Sequence, residues 1–282
     1  MNIIRKPDWL KIKIENTESF AFVKKVVAEN HLHTICSSGK CPNQCECWSR
    51  GTATFMIMGD ICTRTCKFCA TKSGKPLPLD HSEPAKVAES VFLMKLKHCV
   101  LTSVDRDDLP DKGAAHWAET VRKIREKNPN IIIELLIPDY QNELLSILID
   151  LTDSKSNIIG HNLETVERLT STVRSKATYR NSLETLRQIA CFGMLTKTGI
   201  MVGLGETEQE VLQTLADARN AGVSIITIGQ YLQPDKNNME VVQYILPEQF
   251  DMYKKYAIEL GYRHVESAPL VRSSYLSDKI IY

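Results

Sequence analysis

Apolar residues recur along the chain in short bursts, and the bursts alternate in kind. Thr54–Met58 is a compact apolar run closed by Gly59, the pattern of a buried strand. Similar runs at His98–Thr102, Ile131–Leu136, Ile158–His161, Leu195–Val202 and Ile225–Gly229 predict five more strands. Between them the apolar positions take helical spacing. Val87, Val91 and Met94 mark one face of a helix over Glu83–Leu96, with Ser82 as N-cap and Pro84 in the first turn. Ala114–Lys127, Asn142–Asp150 and Ser182–Phe192 also read as helices. Thr207-x-x-Glu210 is a capping box that opens another. Pro247–Leu260 predicts a last helix, ahead of a short strand at Tyr262–Glu266. Before all of these, Thr17–Glu29 carries a helical stripe of Phe20, Val23, Val27 and Ala28.

Strands that alternate with helices predict a parallel sheet. The spacing, about 30 residues per strand–helix unit, fits a barrel or a doubly wound sheet. Polar or glycine-rich segments follow most strand ends: Gly59-Asp60, Asp105-Arg106-Asp107-Asp108, Pro138-Asp139, His161-Asn162, Gly203-Leu204-Gly205-Glu206 and Gln230. In parallel barrels such strand ends collect the catalytic groups.

Composition narrows the function classes. The chain has 282 residues, 43% of them hydrophobic, enough for a substantial core. Basic and acidic residues balance at 35 against 34, which gives no electrostatic case for nucleic acid. No apolar run approaches the roughly 18 residues of a membrane span. The first residues lack an apolar targeting segment and include Asp8, so a cytoplasmic protein is expected. Nine cysteines are present, and seven of them fall between positions 36 and 69. In a reducing compartment, thiols clustered in this way point to metal rather than to disulfides.

Cys62-x3-Cys66-x2-Cys69 follows the first predicted strand directly. Three thiolates can hold three irons of a [4Fe–4S] cluster and leave the fourth open to a substrate or cofactor. Zinc prefers paired C-x2-C knuckles with four ligands, which the x3 gap fits poorly. Phe68, just before the third cysteine, would shield such a cluster. The second set, Cys36-x4-Cys41-x5-Cys47, is ambiguous by itself: zinc, iron–sulfur and idle thiols remain open, and Cys45 allows other triads.

Taken together, these motifs resemble the lipoyl synthase family of the radical S-adenosylmethionine superfamily. The resemblance is carried by Cys41-Pro-Asn-x-x-Glu46-Cys47-Trp48, Gly51-Thr-Ala-Thr-Phe-Met-Ile-Met-Gly59-Asp60, Cys62-Thr-Arg64 and Thr102-Ser-Val-Asp105-Arg-Asp-Asp-Leu-Pro110-Asp. It continues through His161-Asn-Leu-Glu-Thr165, Gly203-Leu-Gly-Glu-Thr207, Gly229-Gln-Tyr-Leu-Gln-Pro234 and Leu270-Val-Arg-Ser-Ser-Tyr275. It implies an incomplete (β/α)6 barrel of the TIM type over residues 51–265. An N-terminal extension (1–50) and a C-terminal tail (266–282) would then share a second cluster.

The resemblance also implies roles. Cys62, Cys66 and Cys69 would hold the [4Fe–4S] cluster that binds S-adenosylmethionine. Cys36, Cys41 and Cys47 would hold an auxiliary [4Fe–4S] cluster that yields sulfur, with Ser274 rather than Ser273 as its fourth ligand. The reaction implied is insertion of two sulfur atoms at C6 and C8 of a protein-bound octanoyl-lysine. The carriers would be lipoyl domains of 2-oxoacid dehydrogenase E2 subunits or a glycine-cleavage H protein, and the electron donor a flavodoxin or ferredoxin. A different radical enzyme with an auxiliary cluster, such as another sulfur inserter or a maturation enzyme, and a non-enzymatic iron–sulfur or zinc protein are the rivals; Arg272-Ser-Ser-Tyr275 argues against the first.

Other residues carry weaker signals. Asp105 to Asp108 read either as a solvated loop or as a polar wall of the site. Asn162, Glu164 and Arg180 are expected near the cofactor, while Lys197 and Tyr179 are assigned either to the site or to the surface. Cys99 and Cys191 are expected to be packed core thiols. Three departures stand out: Leu276-Ser277 where the family has His-Ala or Arg-Ala, Lys112-Gly113 where it has two glycines, and the extra Cys45.

Overall fold

A computed structural model describes residues 5–12, 17–140, 145, 158–275 and 277. Its N-terminal extension contains α1 (Glu18–Glu29), β1 (His33–Thr34), α2 (Ile35–Ser38) and α3 (Gln44–Ser49). Then follow β2 (Thr54–Ile57), β3 (Ile61–Cys62), β4 (Lys72–Ser73), α4 (Glu83–Leu93), β5 (His98–Ser103), α5 (Ala114–Lys127), β6 (Ile132–Leu136) and β7 (Ile158–Gly160). The C-terminal part adds α6 (Glu167–Val173), α7 (Tyr179–Cys191), β8 (Leu195–Val202), α8 (Glu208–Asn220), β9 (Ile225–Gln230), α9 (Pro247–Glu259) and β10 (His264–Ser267).

The main sheet runs in the order β1-β2-β5-β6-β7-β8-β9-β10. Every pairing in it is parallel except β1 with β2, an antiparallel edge contributed by the extension. The two outer strands do not pair with each other, so the barrel is partial. The six predicted strands form its middle, and β10 extends it on β9 as a further parallel strand. The short β3–β4 ladder closes the cysteine loop, where the sequence pattern gave no strand.

Local chemistry accounts for most boundaries. Thr207 caps α8 as expected: its Oγ1 accepts from the Glu210 N–H at 3.3 Å, and Glu210 Oε2 accepts from the Thr207 N–H at 2.8 Å. Ser82 does not cap α4, because its own backbone is already in the helical region. Asp80 takes that role instead and accepts from the Ser82 N–H at 2.8 Å and hydroxyl at 2.5 Å. α7 starts at Tyr179, earlier than the apolar spacing indicates, because Thr178 caps it. The helix expected over Asn142–Asp150 lies outside the described residues apart from Leu145.

Gly113 sits at φ +86°, and a Cβ there would meet Met58 Sδ at 2.2 Å, so glycine is required. Lys112 adopts φ +49° without being glycine. The core is built around two groups. One joins α1, α4 and α5 to β2, β5 and β6; the other joins α7, α8 and α9 to β8, β9 and β10. Trp48 packs on Phe20 with ring centroids 5.4 Å apart, which fixes α3 and its cysteines against α1.

Candidate active site

Cys62 ends β3, and the loop after it carries Cys66 and Cys69. This loop is braced from several sides. Thr63 donates from its N–H and its hydroxyl to the Asp105 carbonyl, at 3.0 and 2.9 Å. Asn238 donates to the carbonyls of Lys67 and Cys69, at 3.1 and 2.8 Å. The N–H groups of Arg64 and Asp105 point at the Cys62 sulfur from 3.4 and 3.3 Å, and the Thr71 N–H points at Cys69 from 3.4 Å. Such donors favour a thiolate.

Arg64 is the hub beneath the loop. It is 7% exposed, forks onto Asp107 at 2.9 and 3.0 Å, and reaches Asp139 at 2.5 Å and Asp105 at 3.4 Å. Burial opposes its charge, but the Asp107 hydrogen bonds and the other carboxylates hold it firmly protonated. The Arg64 hydrogen bonds in turn hold Asp107 down at about 2. Burial, with repulsion from Asp139 and Asp107, pushes Asp105 up despite Arg64. The acidic segment after β5 is therefore neither a solvated loop nor simply a wall. Asp105 and Asp107 grip the cysteine loop through Arg64, and Asp108 pairs with Arg106 at 2.9 Å.

The second triad comes from the extension. Cys36 lies in α2, Cys41 in the turn after it and Cys47 in α3. A small cavity of about 40 Å³ is bordered by all three, with Arg272, Ser274 and Tyr275 of the tail on its far side. Ser274 Oγ accepts from Thr54 Oγ1 at 2.8 Å. The neighbouring Ser273 turns elsewhere and accepts from Asn162 Nδ2 at 2.7 Å. The tail is tied to the extension by Asn43, which donates to the Leu270 carbonyl at 2.7 Å, and by the Tyr275 hydroxyl, which donates to Glu46 at 3.1 Å.

Both triads suit a multi-iron cluster in their donor chemistry. All nine cysteines are free thiols. Burial pushes Cys36 up, and burial followed by repulsion from the neighbouring thiols pushes up Cys41 and Cys47, the latter to about 12; burial and Asp105 push Cys62 to about 11. Groups so crowded ionise together only beside a strong cation, which is what a cluster provides. The Trp48 indole N–H is buried without a conventional partner and favours the thiolate of Cys36. Among the described residues no three of His, Cys, Asp and Glu converge tightly enough for a single ion. A cluster instead takes each thiolate at a separate iron.

A larger cavity of about 580 Å³ runs between the triads and is bordered by Cys36 and Cys41 on one side and by Cys62, Cys66 and Cys69 on the other. Its walls are largely apolar, with Met56, Val104, Leu136, Ile137, Met201 and Leu232. Among the polar side chains that also border it, Asn162, Glu164 and Arg174 form one connected group. Asn162 donates to Glu164 at 3.1 Å, and Arg174 donates to the Asn162 carbonyl at 3.0 Å and to Ser182 at 2.8 Å. Glu164 holds φ +68° and is pushed up by burial despite Arg174. His161 is buried beside them and depressed to about 4, first by burial and then by Arg174, so it is neutral.

The cavity borders thus include every expected cluster cysteine except Cys47, which faces the small cavity, together with Ser274, Asn162 and Glu164. Arg180 stands apart: its side chain is 91% exposed and faces Glu167 at 3.8 Å on the surface. The arginines that border the cavity are Arg64, Arg272 and Arg174, the last just past the end of α6, a helix too short to show a period. Tyr179 donates to Asp217 at 2.9 Å, and Lys197 is buried low in the barrel. Cys99 is fully buried, as expected, whereas Cys191 is exposed at the end of α7.

Comparison with known proteins gives the site its context. The model of the Radical SAM superfamily matches residues 56–218. The lipoyl synthase of Parabacteroides distasonis is 58% identical over 99% of this chain and 99% of its own length. That of Bacteroides fragilis is 57% identical over 99% and 96%. Among solved structures, Streptococcus suis SuiB bound to S-adenosylmethionine matches 89% of this chain and 62% of its own, with TM-score 0.61 at 9% identity, a likeness of fold.

Proposed function

The chain belongs to the lipoyl synthase family of radical S-adenosylmethionine enzymes, and from that premise we propose a division of labour among its residues. It is a sulfurtransferase that uses S-adenosylmethionine and two [4Fe–4S] clusters. Cys62, Cys66 and Cys69 hold the cluster that binds S-adenosylmethionine. Cys36, Cys41 and Cys47 of the extension, with Ser274 of the tail, hold the auxiliary cluster. When bound, these groups supply a 5′-deoxyadenosyl radical able to attack unactivated C–H bonds and the sulfur that replaces hydrogen at C6 and C8.

The remaining work is positional. Arg174, with two donors already fixed on Asn162 and Ser182, offers its charge to the carboxylate of S-adenosylmethionine. Asn162 and Glu164 border the same region and take the polar groups of its amino acid and ribose. The apolar walls receive the octanoyl chain, shed its water and hold it between the triads. The substrate arrives on a lipoyl carrier protein; the E2 subunits of 2-oxoacid dehydrogenases and the glycine-cleavage H protein are the proposed carriers. A flavodoxin or ferredoxin is the proposed donor, in the cytoplasm. Among the described residues no helix is long and apolar enough to cross a membrane.

The observation that carries this reading is the cavity bordered by all of the first triad and by Cys36 and Cys41 of the second. Its volume of about 580 Å³ falls within the usual range for a ligand pocket. The test is mass spectrometry of an octanoylated lipoyl-domain peptide after incubation with reconstituted protein, reductant and S-adenosylmethionine. A gain of two sulfurs is expected from the native chain. Ser274→Ala is expected to form 5′-deoxyadenosine without inserting sulfur, and full sulfur insertion by that variant would sink the ligand assignment.

A further inference from the structure

The floor of the barrel carries charge where parallel barrels ordinarily pack branched apolar side chains. Glu134 of β6 and Lys197 of β8 are 2% and 4% exposed, and the ammonium stands 2.6 Å from the carboxylate. His98, at the start of β5, contacts the other carboxylate oxygen at 3.2 Å. To reach Glu134 the lysine crosses β7, where Gly160 is its register partner. A Cβ on Gly160 would stand 3.0 Å from the Lys197 carbonyl and 3.3 Å from its Cβ. The glycine keeps that crossing open.

A buried ion pair contributes little net stability over apolar packing, so its retention asks for another role. The ammonium has donors to spare after Glu134. One goes to Ser277 Oγ at 3.0 Å, and Ser277 is 3% exposed. Ser277 belongs to the tail, three residues beyond Ser274, and stands where the resembling family has alanine. Both serines border the small cavity of the second triad, as does His98. The tail is therefore gripped from two sides. Tyr275–Glu46, on the side of the extension, is an exposed contact. Lys197–Ser277, on the barrel side, is buried and charge-assisted, which makes it the stronger hold.

We propose that Lys197, buttressed by Glu134 and His98, is a positioning residue that docks the C-terminal turn through Ser277 and so sets Ser274 against the auxiliary thiol triad. The last clause rests on the assignment of Ser274 as the fourth ligand; the docking itself does not.

The test is hydrogen exchange, read by mass spectrometry on the segment 270–277 in both iron-free and reconstituted protein. Ser277→Ala is expected to speed exchange there about tenfold, equivalent to ~1.4 kcal/mol, in both forms. Release of auxiliary iron to a chelator should accelerate by a similar factor, while iron at the first triad leaves at the native rate. In the Lys197→Met/Glu134→Gln background the tail should already exchange fast, and adding Ser277→Ala should change nothing further. Native exchange in Ser277→Ala, or an undiminished effect of Ser277→Ala in that background, would overturn the docking role. Ser274→Ala separates the two readings. An unchanged iron-57 Mössbauer spectrum of the auxiliary cluster in Ser274→Ala would remove the ligand assignment and, with it, the proposed purpose of the docking. Fast exchange in Ser277→Ala would still support the anchor itself.

Discussion

Replacing Arg64 by methionine removes the central cation from a group of three carboxylates and leaves Lys176, 3.2 Å from Asp107, beside them. Asp105, Asp107 and Asp139 retain side-chain exposures of 24, 14 and 12%, so water can enter and soften the loss. Breaking a buried pair costs about 3–5 kcal/mol, and the residual exposure places this case at the lower end, about 3 kcal/mol. In a chain of this size that is a fall in Tm of roughly 6–10 °C. The assay is urea and thermal unfolding of iron-free protein, which separates folding from cluster loading. Arg64→Met/Asp107→Asn should recover about 1 kcal/mol, because one orphaned carboxylate is gone. Arg64→Lys should recover about half, since an ammonium cannot fork onto Asp107 while reaching Asp139. Iron at the first triad should fall and iron at the second should stay. A loss of under about 1 kcal/mol for Arg64→Met, within the range of ordinary surface substitutions, would refute the account of Arg64 as the brace of the cysteine loop.

Arg174→Gln should weaken binding of S-adenosylmethionine at least tenfold, about 1.4 kcal/mol, whereas Arg180→Ala should leave it unchanged; isothermal titration of reconstituted protein reads both. Asp107 is depressed to about 2, so its stabilisation is complete above its unfolded value near 4 and disappears as pH falls through 2. Acid unfolding of iron-free protein should show that limb, and Arg64→Met should flatten it. Gly113→Ala should cost more than about 1 kcal/mol in urea melts, because φ is positive and the new methyl meets the Met58 sulfur. Cys45→Ser should leave iron content and sulfur insertion at native levels, since Cys45 borders neither cavity.

The alternation of strands and helices was legible because the central strands are buried on both faces and the long helices on one, so the two periods differ plainly. The first triad was legible because its three cysteines sit in one loop. Boundaries were harder. The cap of α4 went to Asp80 rather than Ser82 because the turn before the helix sets the capping geometry, and that turn has no period. Arg174 escaped notice for a related reason: its partners Asn162 and Ser182 come from separate segments, and α6 is too short to display a face. A signal for the barrel floor did exist. Glu134 and Lys197 are the lone charges, of opposite sign, in β6 and β8, and a buried charge needs a partner. The pairing itself was not legible, because the two residues lie 63 positions apart.

The two triads are built in different ways, and the difference bears on how the chain matures. The first is braced by contacts that are mostly in place once the strands up to β6 have formed: Arg64 with Asp105, Asp107 and Asp139, and Thr63 with Asp105. The second needs residues from the two ends of the chain. Asn43 to Leu270, Glu46 to Tyr275 and Thr54 to Ser274 span 227, 229 and 220 positions. Contacts of such separation form late, because a long loop must close before they are rewarded. The wall that Ser274 adds to the second cavity therefore cannot exist until the tail has docked. Until then the triad of Cys36, Cys41 and Cys47 lacks that wall. The same tail that completes the site can then govern access to it, and among the contacts that hold it closed, the buried bond from Lys197 to Ser277 is the one shielded from water.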